Sequence, residues 1–235
     1  NAFDAYAIRV EVEFAKGSVQ VSDDGIGAPD IASMIRLGAH AGHKRRGLGT
    51  YGVGVKDAWL WMGKTIDIRT TRSGTTTTLR VSLPGDIKRS EHGWESPDPV
   101  SCDASPAERG TRIRFENLHD SRRMPTREQL QKLGWTFMPA LESGRQILIR
   151  QPGKHGKRVP VEAYRMPKML DRVSDEFVID GKSVSIEIGI ACDGQIMRYP
   201  GFAVCYGHRV VCPSTIGTKG MGGSRMAGRI ILGHG

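Results

Sequence analysis

The chain has 235 residues, of which 38% are hydrophobic and 25% charged, enough apolar content for packed cores and too much for wholesale disorder. That length suits two modest domains of about 100–150 residues or one large one, and no apolar run approaches the roughly 18–20 residues of a membrane span. Lys and Arg number 34 against 25 Asp and Glu, a net charge of +9 that favours a polyanionic partner, either nucleic acid or the phosphates of a nucleotide.

The N-terminus has no basic segment ahead of an apolar stretch, so no signal peptide is read there. The absence of an initiator Met, and an end just past an apolar run, make the chain an expected piece of a longer protein. Residues 8–14 alternate apolar and charged with the period of a half-buried strand. Residues 17–22 do the same, and Lys16-Gly17 reads as the hairpin turn between them. Pro29 can open a short helix running to Leu37, and a segment rich in Gly, His and Arg follows from Gly38 to Gly49. Val53 to Met62 is an apolar helix launched from glycines, and 64–72 and 75–83 are strands joined at Ser73-Gly74. Residues 84–110 read as a long loop, and 111–115 as a strand returning to the same sheet.

A second region starts near Pro125, with a helical stretch at 126–142. Strands are expected near 145–150, 159–164, 176–180, 183–190, 202–206, 209–212 and 228–233, with a glycine-rich segment at Gly217–Gly228. Cysteines 102, 192, 205 and 212 form no CxxC, and their irregular spacing suits reduced intracellular thiols. Cys205, His208 and Cys212 lack the paired short loops of a zinc site, and reduced thiols are the preferred reading.

Three separated segments carry chemistry. In Asn1-Ala-Phe-Asp4-Ala5, an Asn and an Asp three positions apart share one helical face, and an amide oxygen suits Mg²⁺. Asp23-Asp24-Gly25-Ile26-Gly27-Ala28-Pro29 follows a strand. A carboxylate there can accept a hydrogen bond from an exocyclic amino group, while glycines let backbone close on a flat base. In Gly47-Leu-Gly49-Thr-Tyr-Gly52-Val53-Gly54-Val55-Lys56, glycines at a helix start expose backbone N–H groups as a phosphate cradle, to which Lys56 adds charge. The string is neither a GxxxxGK[ST] loop nor the opening of a dinucleotide-binding βαβ unit.

In this order the segments resemble the ATP-binding family of gyrase, the large heat-shock chaperone, histidine kinases and MutL (GHKL). The match lies in its N-box (Asn1, Asp4, Ala5), its first glycine motif (Asp24, Gly25, Gly27) and its second (Gly49, Gly52, Gly54), with Gly110-Thr111 ahead of a strand as a fourth element. The resemblance covers roughly residues 1–118. It implies an α+β protein: an α/β-sandwich ATP-binding domain over residues 1–120, then a β-rich, transducer-like α+β domain over 121–235. It also implies ATP with Mg²⁺, Asn1 as the metal ligand, and Asp24 on the adenine amino group with Thr111 beside it. The glycine-rich residues, Val53, Val55 and Lys56 among them, would line the nucleotide, and Ala28–Leu48 would form a mobile lid. The general-base Glu of hydrolysing members stands one helical turn before the Asn, a position preceding residue 1, and Glu11 and Glu13 are poor substitutes.

No phospho-acceptor helix of a histidine kinase is read in the chain, and the Gly-Thr-Tyr-Gly-Val-Gly-Val-Lys string is most similar to Microrchidia and chaperone versions. Lys219, between glycines in Gly217-Thr-Lys-Gly220, is the expected transducer lysine reaching the γ-phosphate. The implied activity is an ATP-gated, homodimerising ATPase acting on DNA or chromatin through sequence-independent contacts, cytoplasmic or nuclear and free of membrane. The alternatives are a chaperone-like ATPase with protein clients and a non-hydrolysing ATP-binding module of a signalling or defence protein.

Overall fold

The alternation of residues 8–14 becomes strand β1 (Arg9–Ala15), preceded by one 3-10 turn at Phe3–Ala5. The Lys16-Gly17 turn, with Gly17 at φ +77°, returns the chain antiparallel as β2 (Ser18–Asp23). The structure is a computed structural model and describes residues 2–35, 54–90, 93–120, 124–151, 156–192, 201–212 and 226–232. Next come the short helix α1 (Ala32–Ile35), helix α2 (Gly54–Met62), and the hairpin of β3 (Gly63–Arg72) and β4 (Thr75–Ser82). The expected loop at 84–110 contains three short strands, β5 (Lys88–Ser90), β6 (Gly93–Glu95) and β7 (Val100–Asp103). β8 (Gly110–Leu118) runs three residues beyond its expected end because it pairs along its length with both β2 and β3.

The expected helix at 126–142 is two helices, α3 (Arg127–Thr136) and α4 (Met138–Glu142). Thr126 and Gln129 form a reciprocal capping box at the start of α3, and Pro139, which has no N–H to give a continuing helix, stands in the first turn of α4. After them come β9 (Gln146–Arg150), β10 (Arg158–Pro160), β11 (Met169–Ile179), β12 (Lys182–Ala191), β13 (Gly201–Tyr206), β14 (Arg209–Cys212) and β15 (Met226–Leu232).

The chain divides into two compact units, Asn1–Pro125 with Arg145–Val161, and Thr126–Gly144 with Glu162–Gly235. The expected cut at residue 120 is therefore revised. β9 lies parallel to β1 and buries Ile147 and Ile149, so it belongs to the first sheet, where it pairs an edge of β1 that would otherwise stand open. Among the described residues that sheet has the order β10-β9-β1-β2-β8-β3-β4-β7. One face carries the core: Ile31 and Ile35 from the α1 segment and Trp59 from α2 pack on Ile66, Ile68, Leu79, Val81 and Phe115.

Among its described residues the second unit holds a five-stranded sheet, β11-β12-β15-β13-β14. Its core joins Trp135 and Met138 to Ala203, Cys205 and Val210, and Trp135 meets Tyr164 edge to face with ring centroids 4.7 Å apart. The α+β class read from the sequence holds. None of the four cysteines is joined in a disulfide, and burial pushes the Cys205 thiol up to about 11. Among the described residues no helix is long and apolar enough to cross a membrane.

Candidate nucleotide-binding site

Residues directly opposed on antiparallel strands project to the same face, so register alone shows which side chains meet. Two rows of the first sheet are apolar: Val19–Phe115–Ile66–Val81 and Val21–Ile113–Ile68–Leu79. The next row on the same face is Asp23–Thr111–Thr70–Thr77, where β2 and β3 end and β8 begins. A polar edge thus closes an otherwise hydrophobic face. Thr70 is 3% exposed, and its Oγ1 accepts from Ala28 N at 2.7 Å, lies 3.4 Å from Thr111 Oγ1, and donates to the Gly110 carbonyl at 3.4 Å.

Asp23 Oδ1 accepts from Gly25 N at 2.9 Å. Burial pushes its carboxyl above the ordinary carboxylate value, while the backbone N–H groups of Gly25 and Thr111 oppose the rise by stabilising the charge. Two glycines make this packing possible. Gly27 has φ +80°, and a Cβ there would run into the Thr71 carbonyl and come within 3.0 Å of Thr70 Oγ1. Gly110 has φ +125°, and a Cβ there would run into the Asp23 carbonyl. The N-terminal turn joins the same place, since Ile26 N donates to the Ala5 carbonyl at 2.9 Å.

The fold therefore gathers three of the sequence elements: the Phe3–Ala5 turn, the Gly25–Gly27 turn and Gly110-Thr111. Asp24 is exposed, and its Oδ1 accepts from the backbone N–H groups of Ile8 and Arg9 at 2.8 and 2.9 Å, tying the turn to the start of β1. The carboxylate in the polar row is Asp23. Strand alternation contains the signal: Val19 and Val21 face the core, so the next inward side chain is residue 23. Thr70 was also missed, because only the β3–β8 register reveals its place in the row.

In the second glycine motif, Gly54 is exposed, and among the described residues a Cβ there would meet nothing within 4 Å. Val55 packs against the hydrophobic core. Lys56, in the first turn of α2, is only 5% exposed. Burial lowers its pKa, and Asp57 only partly opposes that. Among the described residues it has no carboxylate in ion-pair contact. Asp4 is exposed on the 3-10 turn. Asn1, Gly49, Gly52, Val53 and Lys219 lie outside the described residues, as does the expected lid beyond Ile35. Glu11 and Glu13 point to the opposite sheet face, where Arg150 and Arg158 hold Glu11 and Arg150 holds Glu13.

The first sheet is thus covered by helices on one face, and that apolar face ends in a carboxylate–threonine row closed by a glycine turn. Residues 1–111 match the family described as "Histidine kinase-, DNA gyrase B-, and HSP90-like ATPase", so this part of the chain is similar to the members of that family. Solved structures extend the likeness of fold over nearly the whole chain. The 43K ATPase domain of Thermus thermophilus gyrase B, in complex with an aminocoumarin, aligns at TM-score 0.53 and 14% identity, over 98% of this chain and 73% of that one. The N-terminal domain of a DNA repair protein aligns at 0.57 and 14%, over 99% and 80%. The topoisomerase IV ATP-binding domain of Francisella tularensis, in complex with a small-molecule inhibitor, aligns at 0.53 and 13%, over 96% and 71%. No curated protein matches the sequence.

Proposed function

We propose that this chain is the motor part of an ATP-gated clamp: it binds and hydrolyses Mg-ATP, brings two copies together, and acts on DNA or chromatin. The observation that carries this reading is the Asp23–Thr111–Thr70 row bonded to the Gly25–Gly27 turn. A carboxylate fixed at that edge accepts a hydrogen of the adenine amino group, and the bonded threonines hold the edge ready before the base arrives. Asp23 takes the role expected of Asp24.

Lys56 and the N–H groups of the first turn of α2 meet the phosphates, and a buried cation with no carboxylate in ion-pair contact among the described residues is suited to a polyanionic ligand. For Mg²⁺, oxygen donors are required. The Phe3–Ala5 turn, which carries Asp4 and follows Asn1, is hydrogen-bonded to the glycine turn beside Asp23, so oxygen donors of the right type stand at this end of the sheet. Bound Mg²⁺ would neutralise phosphate charge there.

The second unit is assigned as the transducer, with Lys219 as its expected γ-phosphate lysine. Support comes from the alignment with a gyrase B ATPase domain along nearly the full chain. The DNA assignment draws on the +9 charge and on the topoisomerase and DNA-repair proteins among the structural neighbours.

The clamp follows from the composition of Ala28–Leu48. Lys44, Arg45 and Arg46 crowd positive charge onto a glycine-rich segment, and a triphosphate offsets their repulsion, so nucleotide favours the closed state. Light scattering of the intact protein should show a dimer with a non-hydrolysable ATP analogue and a monomer with ADP. A monomer under both conditions, with binding confirmed by calorimetry, removes the clamp and leaves a nucleotide-binding module.

A further inference from the structure

The first sheet has a second face, on the side away from Trp59 and the helices. Alternation places Glu11, Ser22, Arg112 and Arg69 there in one row across β1, β2, β8 and β3. Most of the charge on this face is neutralised internally. Arg158 reaches Glu11 at 2.9 Å, Arg114 reaches Glu116 at 3.2 Å, and Arg80 also pairs with Glu116.

Arg69 and Arg112 differ from these. They are directly opposed on β3 and β8, and among the described residues neither has an ion pair. Arg112 Nε is buried with no hydrogen-bond partner. Opposed like charges weaken strand pairing, and an unsatisfied buried donor weakens the fold further. Two arginines are thus directly opposed on one sheet face with no ion pair among the described residues, and an anion would offset the charge of both. Planar guanidinium forks match a phosphate's oxygens in pairs, and Ser22, next to Arg112 in the row, adds a hydroxyl donor.

We propose that Arg69 and Arg112 grip a backbone phosphate of duplex DNA, on the sheet face opposite the nucleotide row. This rests on the DNA reading given above and deepens it by naming the contact. Binding would be independent of base sequence, because phosphates carry none.

The test is a salt titration of the full chain with a fluorescently labelled duplex of arbitrary sequence, followed by anisotropy from about 50 to about 200 mM salt. In R69Q/R112Q, the slope of log affinity against log salt should fall in magnitude by about 0.9 for each phosphate that is no longer neutralised. R69K/R112K should keep the slope, because the charge remains. R80Q should also keep it, because Arg80 is already neutralised. The double glutamine variant should melt at or above the wild-type temperature, since a repulsive pair has been removed. Wild-type binding with an unchanged slope in R69Q/R112Q overturns this site and leaves the DNA reading standing. No wild-type binding at any salt overturns both. A melting temperature well below wild type makes the pair a structural element and overturns the proposal.

Discussion

Two adjacent aspartates have opposite orientations, and exchanging each in turn separates base recognition from fold support. Asp23→Asn replaces a carboxylate in the polar row with an amide. One oxygen can still accept from Gly25 N, as Oδ1 does at 2.9 Å. The other position becomes an N–H₂ donor facing the adenine amino group, so a charge-assisted hydrogen bond is replaced by donor against donor. Such a bond is worth about 1.5–3 kcal/mol, so ATP affinity should fall roughly 10- to 100-fold. For the apo fold, relief from a buried charge is the larger effect, set against the loss of charge stabilisation by the Gly25 and Thr111 N–H groups. Because burial raises the folded pKa of Asp23 above 3.8, the folded state binds the proton more tightly than the unfolded state. Stability therefore falls as pH rises from 3.8 through the folded pKa, and at neutral pH the charged group is a burden that Asn lacks. Asp24→Ala should do the reverse. It removes the acceptor of the Ile8 and Arg9 amides, at an exposed site, costing about 1 kcal/mol of stability with ATP affinity nearly unchanged. Calorimetry gives the affinities, and thermal melting of the apo protein gives the stabilities. Loss of ATP binding in Asp24→Ala with normal binding in Asp23→Asn would refute the assignment.

Lys56→Met should weaken ATP binding about 10- to 100-fold by calorimetry while raising the apo melting temperature. Since burial depresses the Lys56 pKa below 10.5, wild-type stability recovers as pH rises from the folded pKa toward that value, so the gap between wild type and variant should narrow there. Unchanged affinity would remove Lys56 from the phosphate site. Ile149→Ala, at a side chain 2% exposed in β9, should cost about 2–5 kcal/mol. Because β9 pairs with β1, the destabilisation should appear in the melting of the first unit and weaken the proposed ATP binding with it. Intact ATP binding with destabilisation confined to the second unit would reject the assignment of β9 to the first sheet.

Local pattern was enough for much of this protein. The alternation around Lys16-Gly17 specifies a hairpin because side-chain period and turn chemistry are properties of neighbouring residues, and the β1–β2 pair forms where that pattern places it. The first glycine motif is legible for a similar reason: a turn that must adopt φ +80° under a carbonyl accepts only glycine, so the constraint is written at residue 27 itself. Partnership between distant residues is not written there. The pattern Gln-Ile-Leu-Ile-Arg at 146–150 announces a strand, but nothing in it says that the partner is β1, more than 130 positions earlier, because backbone hydrogen bonding carries no address. The same limit hid Thr70 and the opposed Arg69 and Arg112, whose meaning depends on a three-strand register. Asp23 stands between the two cases. Its direction follows from alternation with Val19 and Val21, whereas its burial and raised pKa arise only when β8 and the Gly27 turn close over it, since desolvation is a property of the assembled surroundings.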